Sequence, residues 1–526
     1  MKNLPVLDIT IVFLYLLAMV GIGFYFSKRN KNASQFTTAS GSIPGWAIGM
    51  SIYATFLSSN TFLGVPGKAF ASNWNAFVFS ISMPFAAWVA SKYFVSFYRH
   101  TGEVSAYTHL EKRFGPWART YAVTCFLLTQ FARMGSIFFG MALTLHALLG
   151  FSMGSIMIVM GICIILYTVM GGMEAVIWTE VIQGVLKTAG AVLILYLIIR
   201  AMPGGIQQIY TIAGAQDKFS LGSMSLNFTT SGFWVVFLYG FFINLNNFGM
   251  DQNYIQRYHT ASSEKQAIKS VWLCVALYVP ASLLFFIIGS ALFSYYQVNP
   301  QLVTDLKHSL AIDKLGQHAN AIDLNNYMLH MQPADYADKV LPHFLVNKMP
   351  TICLGLIVAA ILSAAMSTIS SGMNACATVF TKDIYMRHFN RNTSEKKEFS
   401  MLHLTTLVFG LAGLCTGLAM IGIKSILDVW WELSGIFAGG MLGLFLLGLI
   451  SRQTRSAEAV TAVIVGVIVI LWLTFSDRLN ENFSFLRSNL HKNMIIVVGT
   501  LTIFFVGLFI NRCRLAFRNP SPVIKN

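Results

Sequence analysis

The sequence predicts an all-α integral membrane protein of about thirteen spanning helices, built around two five-helix units of opposite orientation. Three observations carry this. Of 526 residues, 55% are hydrophobic and only 11% charged, where a soluble chain would carry about 25% charged. The apolar residues fall into thirteen stretches, near 7–26, 45–65, 75–95, 118–148, 154–171, 176–200, 231–252, 270–296, 350–380, 402–422, 427–450, 457–475 and 494–511, each long enough for a hydrocarbon core of about 30 Å. Two of them, the second and the seventh, are polar in the middle. Four spans separate the two, and a unit of odd length inverts its second copy relative to the first. Interrupted first helices in corresponding positions of two inverted halves point to a transporter's central site.

Taken in order, the first span is not a cleaved signal, since only Lys2 precedes it while Lys28, Arg29 and Lys31 follow. Alternate loops continue that basic set: Lys92, Arg99, Lys112, Arg113 and Arg119; Arg257, Lys265 and Lys269; Lys382, Arg387, Arg391, Lys396 and Lys397; Arg452 and Arg455; Arg512, Arg514, Arg518 and Lys525. The positive-inside rule then puts the N-terminus outside and the C-terminus in the cytoplasm, which an odd number of spans satisfies. The formal charge of +15 is thus a loop signal and not a nucleic-acid footprint. The seven cysteines are scattered in apolar runs and form neither a disulfide framework nor a metal motif. A phosphate-binding loop is absent, which argues against an ATP-driven pump.

The second span, GWAIGMSIYATFLSSNTFLGVPGK, carries Ser58, Ser59, Asn60 and Thr61 at mid-membrane, then Gly64, Pro66 and Gly67; the seventh carries Asn244, Asn246 and Asn247. Non-helical backbone at that depth is tolerated where it lines a cavity. The segment from about 297 to 350, with Asp305, Asp313, Asp323, Asp335 and Asp338, reads as an external solvated cap or an entrance lid. In the ninth span, Ala364, Ser367, Thr368 and Ser371 recur at i, i+3, i+4 and i+7 and form one stripe. Uncharged oxygens at membrane depth suit a weakly held hard cation such as sodium; small packing residues are the alternative reading.

Four stretches, YATFLSSNTF (53–62), GGMEAVIWTEVIQG (171–184), DQNYIQRY (251–258) and SAAMSTISSGMN (363–374), resemble the sodium:solute symporter family, and within it the bacterial sialic acid symporters. The resemblance implies the leucine-transporter-like inverted-repeat fold and sodium-driven alternating access in a bacterial plasma membrane. It divides the chain into an extra helix and cytoplasmic loop (1–44), a first five-helix repeat (45–200), an external loop (201–230), a second repeat containing the 297–350 segment (231–450), and two C-terminal helices with a cytoplasmic tail (451–526). It places a principal sodium site on the carbonyls of Ala54, Leu57 and Ala364 and the hydroxyls of Ser367 and Thr368. A second sodium would use Ser367, Ser370, Ser371 and Glu180, where the sialic acid symporters have an aspartate. Lys187, seven residues on along the same helix face, has no expected counterpart; it either neutralises Glu180 or snorkels outward. Ser58, Thr61 and Arg133 stand at sugar-binding positions, Phe56, Ala76 and Ser80 replace polar or aromatic groups there, and Asn247 and Phe248 are further candidates. Arg133 is expected to hold a substrate carboxylate, or else to pair with a protein carboxylate, Glu180 foremost. The expected cargo is a small, anionic solute such as sialic acid, carried with sodium by a non-enzymatic protein in a lipid bilayer. A neutral sugar, amino acid or monocarboxylate, or a transporter-like sensor, are the alternatives.

Overall fold

The computed structural model describes residues 5–316, 320–350, 352–422, 426–476 and 481–518. Among them every regular element is helical, and one isolated backbone bridge, Ile43 to Ala261, is the only strand-like pairing. Helix α1 (Val6–Ser27) leads into a short α2 (Ala33–Thr38). The second predicted span is broken into α3 (Gly45–Phe56) and α4 (Ser59–Ala71). Leu57 leaves helical geometry (φ −83, ψ 84) and Ser58 is extended (φ −92, ψ 175). The amide of Ser58 turns to Phe56 O at 3.2 Å, so the carbonyls of Ala54, Thr55 and Leu57 are free for other donors.

The third span is α5 (Val78–Val89) running through a π turn into α6 (Val95–Thr101). After α7 (Thr108–Phe114) comes the long α8 (Pro116–Leu149), with proline at its first turn. Spans five and six form α9 (Met153–Ala201), which changes direction at Gly172 (φ 58, ψ −160). That backbone is open to glycine alone. Helix α10 (Gly205–Ala215) follows.

The seventh span is broken like the second. Helix α11 (Phe233–Met250) ends at Asp251, whose carboxylate accepts from Asn253 N at 2.8 Å and so opens α12 (Gln252–Thr260). Helix α13 (Glu264–Val298) returns across the bundle. The 297–350 segment is not loop: it folds as α14 (Pro300–Leu315), α15 (Ala321–His330) and α16 (Pro333–Lys348). Helix α16 buries Tyr336, Val340, Leu341, Phe344 and Leu345, and the Tyr336 ring meets Phe70 of α4 at 6.0 Å.

The centre is α17 (Cys353–Val379), buried along nearly its whole length. It packs on α9, α8, α18, α1 and α3. Its first turn is capped from α1: Asp8 Oδ1 accepts from the amides of Ile352 (2.9 Å) and Gly355 (2.7 Å). A carboxylate suits the positive end of the helix dipole. Helices α18 (Glu395–Ala419), α19 (Ile426–Ile450), α20 (Ser456–Phe475) and α21 (Met494–Arg518) complete the bundle.

Ten helical stretches among the described residues are long and apolar enough to cross a membrane, against thirteen spans expected. The second span counts as neither of its halves, the fifth and sixth count as one element, and only Ser434–Ile450 of the eleventh is scored, as a shorter apolar helix.

Candidate functional site

The two broken helices and α17 meet at one level. There the freed carbonyls of α3, the hydroxyl stripe of α17 and the inner face of α9 converge. Because α9 and α17 run antiparallel, Ser371 reaches Glu180 and Ser367 reaches Lys187.

All five residues expected at the principal sodium site come together. Ser367 Oγ lies 3.1 Å from Ala54 O and 3.4 Å from Ala364 O. Thr368 Oγ1 lies 3.2 Å from Thr55 O and 3.4 Å from Ala364 O. The amino group of Lys187 stands among them. Lys187 Nζ donates to Ala54 O (2.6 Å), Leu57 O (2.9 Å) and Ser367 Oγ (2.6 Å). Lys187 is fully buried, so it does not snorkel outward, and the direct ion pair of Glu180 is made by another residue.

That residue is Arg257, which the positive-inside reading had counted in a cytoplasmic loop. It lies instead inside the bundle on α12. Arg257 Nη2 approaches Glu180 Oε2 at 2.7 Å and Oε1 at 2.9 Å, with both side chains entirely excluded from solvent. The guanidinium also donates to Ser51 Oγ (2.8 Å), Ser371 Oγ (2.7 Å) and Thr55 Oγ1 (3.0 Å). Ser51 and Ser371 both donate to the carboxylate. A buried charge pair persists when its remaining lone pairs and protons are satisfied in this way. Ser370, the other hydroxyl expected at a second sodium, donates to Ser367 O at 3.2 Å.

Beside this network, a cavity opens between α4, α5, α8, α11 and α13. Phe56, Ser58, Thr61, Ala76, Ser80, Arg133 and Asn247 line it, with Asn60, Tyr278 and Ser282. Seven of the eight residues expected to touch substrate are therefore brought together. Phe248 is behind the wall, its ring 5.8 Å from that of Phe56. Phe56 also stacks on Tyr254 (4.7 Å) and lies 5.3 Å from Tyr278. Ser80 Oγ is 2.7 Å from Ser282 Oγ. Arg133 donates to Thr55 O (3.3 Å) and Tyr254 Oη (3.2 Å). It is ion-paired with Asp251, at 3.4 Å, and not with Glu180. Asp251 is meanwhile held by Asn253, which donates to its other oxygen from the side-chain amide at 2.6 Å.

The sodium:solute symporter pattern matches residues 36–466. The chain belongs to the sodium:solute symporter family. Relatives include the sodium/sialic acid symporter NanT of Aliivibrio fischeri, 33% identical with 95% of this chain and 94% of the relative covered. The sodium/sialic acid symporter SiaT of Proteus mirabilis is likewise 33% identical, with 94% of each chain covered. A solved structure of the substrate-bound, outward-open state of a Na+-coupled sialic acid symporter superposes with a TM-score of 0.83 at 31% identity, covering 97% of this chain and 98% of that one. The nucleobase-cation-symport transporter Mhp1, at 13% identity and a TM-score of 0.56, shares the fold. The fold is thus the leucine-transporter-like one expected for a multi-pass membrane transporter.

Three of this symporter's charged residues escaped sequence reasoning in their roles. Arg257 was hidden because it follows a polar stretch that also reads as loop. Asp251 sits at a helix break and looked like the end of a span. Lys187 was visible, but only neutralisation of Glu180 and outward snorkelling were weighed, not the carbonyls that the break in α3 would turn toward it.

Proposed function

We propose that this symporter carries a small carboxylated sugar of the sialic acid class into a bacterial cell, together with sodium, across the plasma membrane. In this reading the N-terminus is outside, the C-terminus is cytoplasmic, and residues 45–200 and 231–450 are the two repeats. Phe56, Ser58, Thr61, Ala76, Ser80, Arg133 and Asn247 form the solute pocket. The observation that carries the reading is Arg133. Its guanidinium lines the cavity, where it is ion-paired with Asp251 at 3.4 Å, longer than a charge-assisted hydrogen bond of about 2.7–2.9 Å. A planar carboxylate in the cavity would accept two parallel bonds from that fork, which a lysine cannot offer. Ser58, Thr61 and Asn247 would supply donors and acceptors for sugar hydroxyls.

The test is uptake of radiolabelled sialic acid into proteoliposomes under an inward sodium gradient. The wild type accumulates label, and Arg133→Lys loses about tenfold or more in apparent affinity, consistent with roughly 1.5–3 kcal/mol for a hydrogen bond to a charged group. A second reading, a neutral solute, is favoured by the aromatic wall of Phe56 and Tyr278. Sodium-driven uptake of a neutral sugar, unaffected by Arg133→Lys, would establish it instead.

A further inference from the structure

The oxygens expected to hold the principal sodium ion already hold the amino group of Lys187. Two carbonyls released by the break in α3 and one hydroxyl of α17 receive the three N–H bonds of a single ammonium, at 2.6, 2.9 and 2.6 Å. An ammonium has three donors and no acceptor, so donor and acceptor numbers match. Among the described residues no carboxylate lies within ion-pair distance of Lys187 Nζ. The acid on its own helix, Glu180, is bound to Arg257 of α12. Helix α17 brings hydroxyls and no acid to this level, and Tyr53 is the one ionisable side chain of α3. The ammonium is therefore held by oriented carbonyl and hydroxyl oxygens, the ligand type that sodium takes. A sodium ion on the same oxygens would stand within about 4 Å of the nitrogen. Two unit charges at that distance repel by about 4 kcal/mol even at an effective dielectric constant near 20.

We infer that Lys187 is a built-in occupant of the principal cation site, so that its ammonium and a sodium ion compete for one set of oxygens. Sodium loads there only when the ammonium has left Ala54, Leu57 and Ser367. The inference rests on the sodium-coupled reading above for the identity of the competing ion, and its test separates the two.

The measurement is equilibrium binding of radioactive sodium to the purified full-length protein, with choline holding the ionic strength constant. A ligand whose site is mostly in a closed form binds with affinity reduced by the open fraction. Lys187→Ala should therefore half-saturate at a sodium concentration lower than the wild type by about tenfold or more, which corresponds to a seated ammonium in nine molecules of ten or more. Adding Thr368→Ala to Lys187→Ala should remove the gain. Lys187→Arg keeps a charge in place and should show no gain. Should Lys187→Ala not be recovered folded, Lys187→Gln, neutral and similar in length, must show the same gain. Equal half-saturation in the wild type and a folded neutral variant overturns the inference, as does a folded neutral variant that binds no sodium. Wild-type uptake that ignores a sodium gradient would instead remove sodium coupling. The inference would then stand or fall on the binding of sodium to Lys187→Ala alone.

Discussion

At Glu180 and Arg257, two charges are kept out of water by each other and by three hydroxyls. Removing one partner leaves a buried charge uncompensated, which costs about 3–5 kcal/mol, while replacing both with apolar side chains is often close to neutral. Arg257→Met should therefore lower the apparent melting temperature in detergent sharply, and Glu180→Met/Arg257→Met should recover most of the loss. Similar melting of the single and double variants would mean that a stranded Glu180 charge is not the source of the loss. The sequence showed that Glu180 needed a partner, because a carboxylate inside a span is expensive. It hid the partner because Arg257 sits six residues beyond a helix break, in a stretch whose polarity is that of a loop. Lys187 was misread for a related reason. Side-chain spacing along α9 is legible, but the carbonyls that Lys187 meets are created by backbone geometry at Leu57 and Ser58.

The helix breaks themselves were legible. The run Ser58-Ser59-Asn60-Thr61, followed by Gly64 and Pro66, and the asparagines before Asp251 mark backbone that cannot continue as a plain apolar span. The gap between spans five and six falls at Gly172, whose φ of 58 and ψ of −160 exclude residues with a Cβ. A Cβ there would lie 2.8 Å from Asn30 Nδ2 and 3.0 Å from Phe36 Cδ2. Gly172→Ala should thus destabilise the protein by about 1–3 kcal/mol, seen as a lower melting temperature, whereas Gly102→Ala, with open space at its Cβ, should show only the strain of its own positive φ. Capping across elements was not legible. Asp8 is 344 positions from Ile352, the first amide it accepts. Asp8→Ala should cost about 0.5–2 kcal/mol. The helices α14 to α16 were also missed, because their acidic, weakly apolar sequence resembles a solvated loop until α16 finds α4 to pack on.

Across the whole molecule, the charges that stay with the protein limit those that can cross with the solute. Both oxygen sets expected to hold sodium contact a side-chain cation, Lys187 at the first and Arg257 at the second. Lys187 can yield its oxygens by moving one flexible stem. Arg257 is fastened by Glu180, Ser51, Thr55 and Ser371 together, and a second sodium would have to break that pair. The expected stoichiometry is therefore one sodium for each solute. With a monoanionic solute such a cycle moves no net charge, so a membrane potential should not change the level of accumulation. Two sodium ions would move one charge, worth about 2.3 kcal/mol per 100 mV, or about fifty-fold in accumulation at 1.36 kcal/mol per decade. Proteoliposomes clamped by a potassium diffusion potential with valinomycin can read this difference directly. Accumulation that is unchanged between zero and 100 mV, inside negative, supports one sodium with an anionic solute. A rise approaching fifty-fold would show a net charge crossing with each solute, and either the pairing of Arg257 or the anionic substrate would then have to be abandoned.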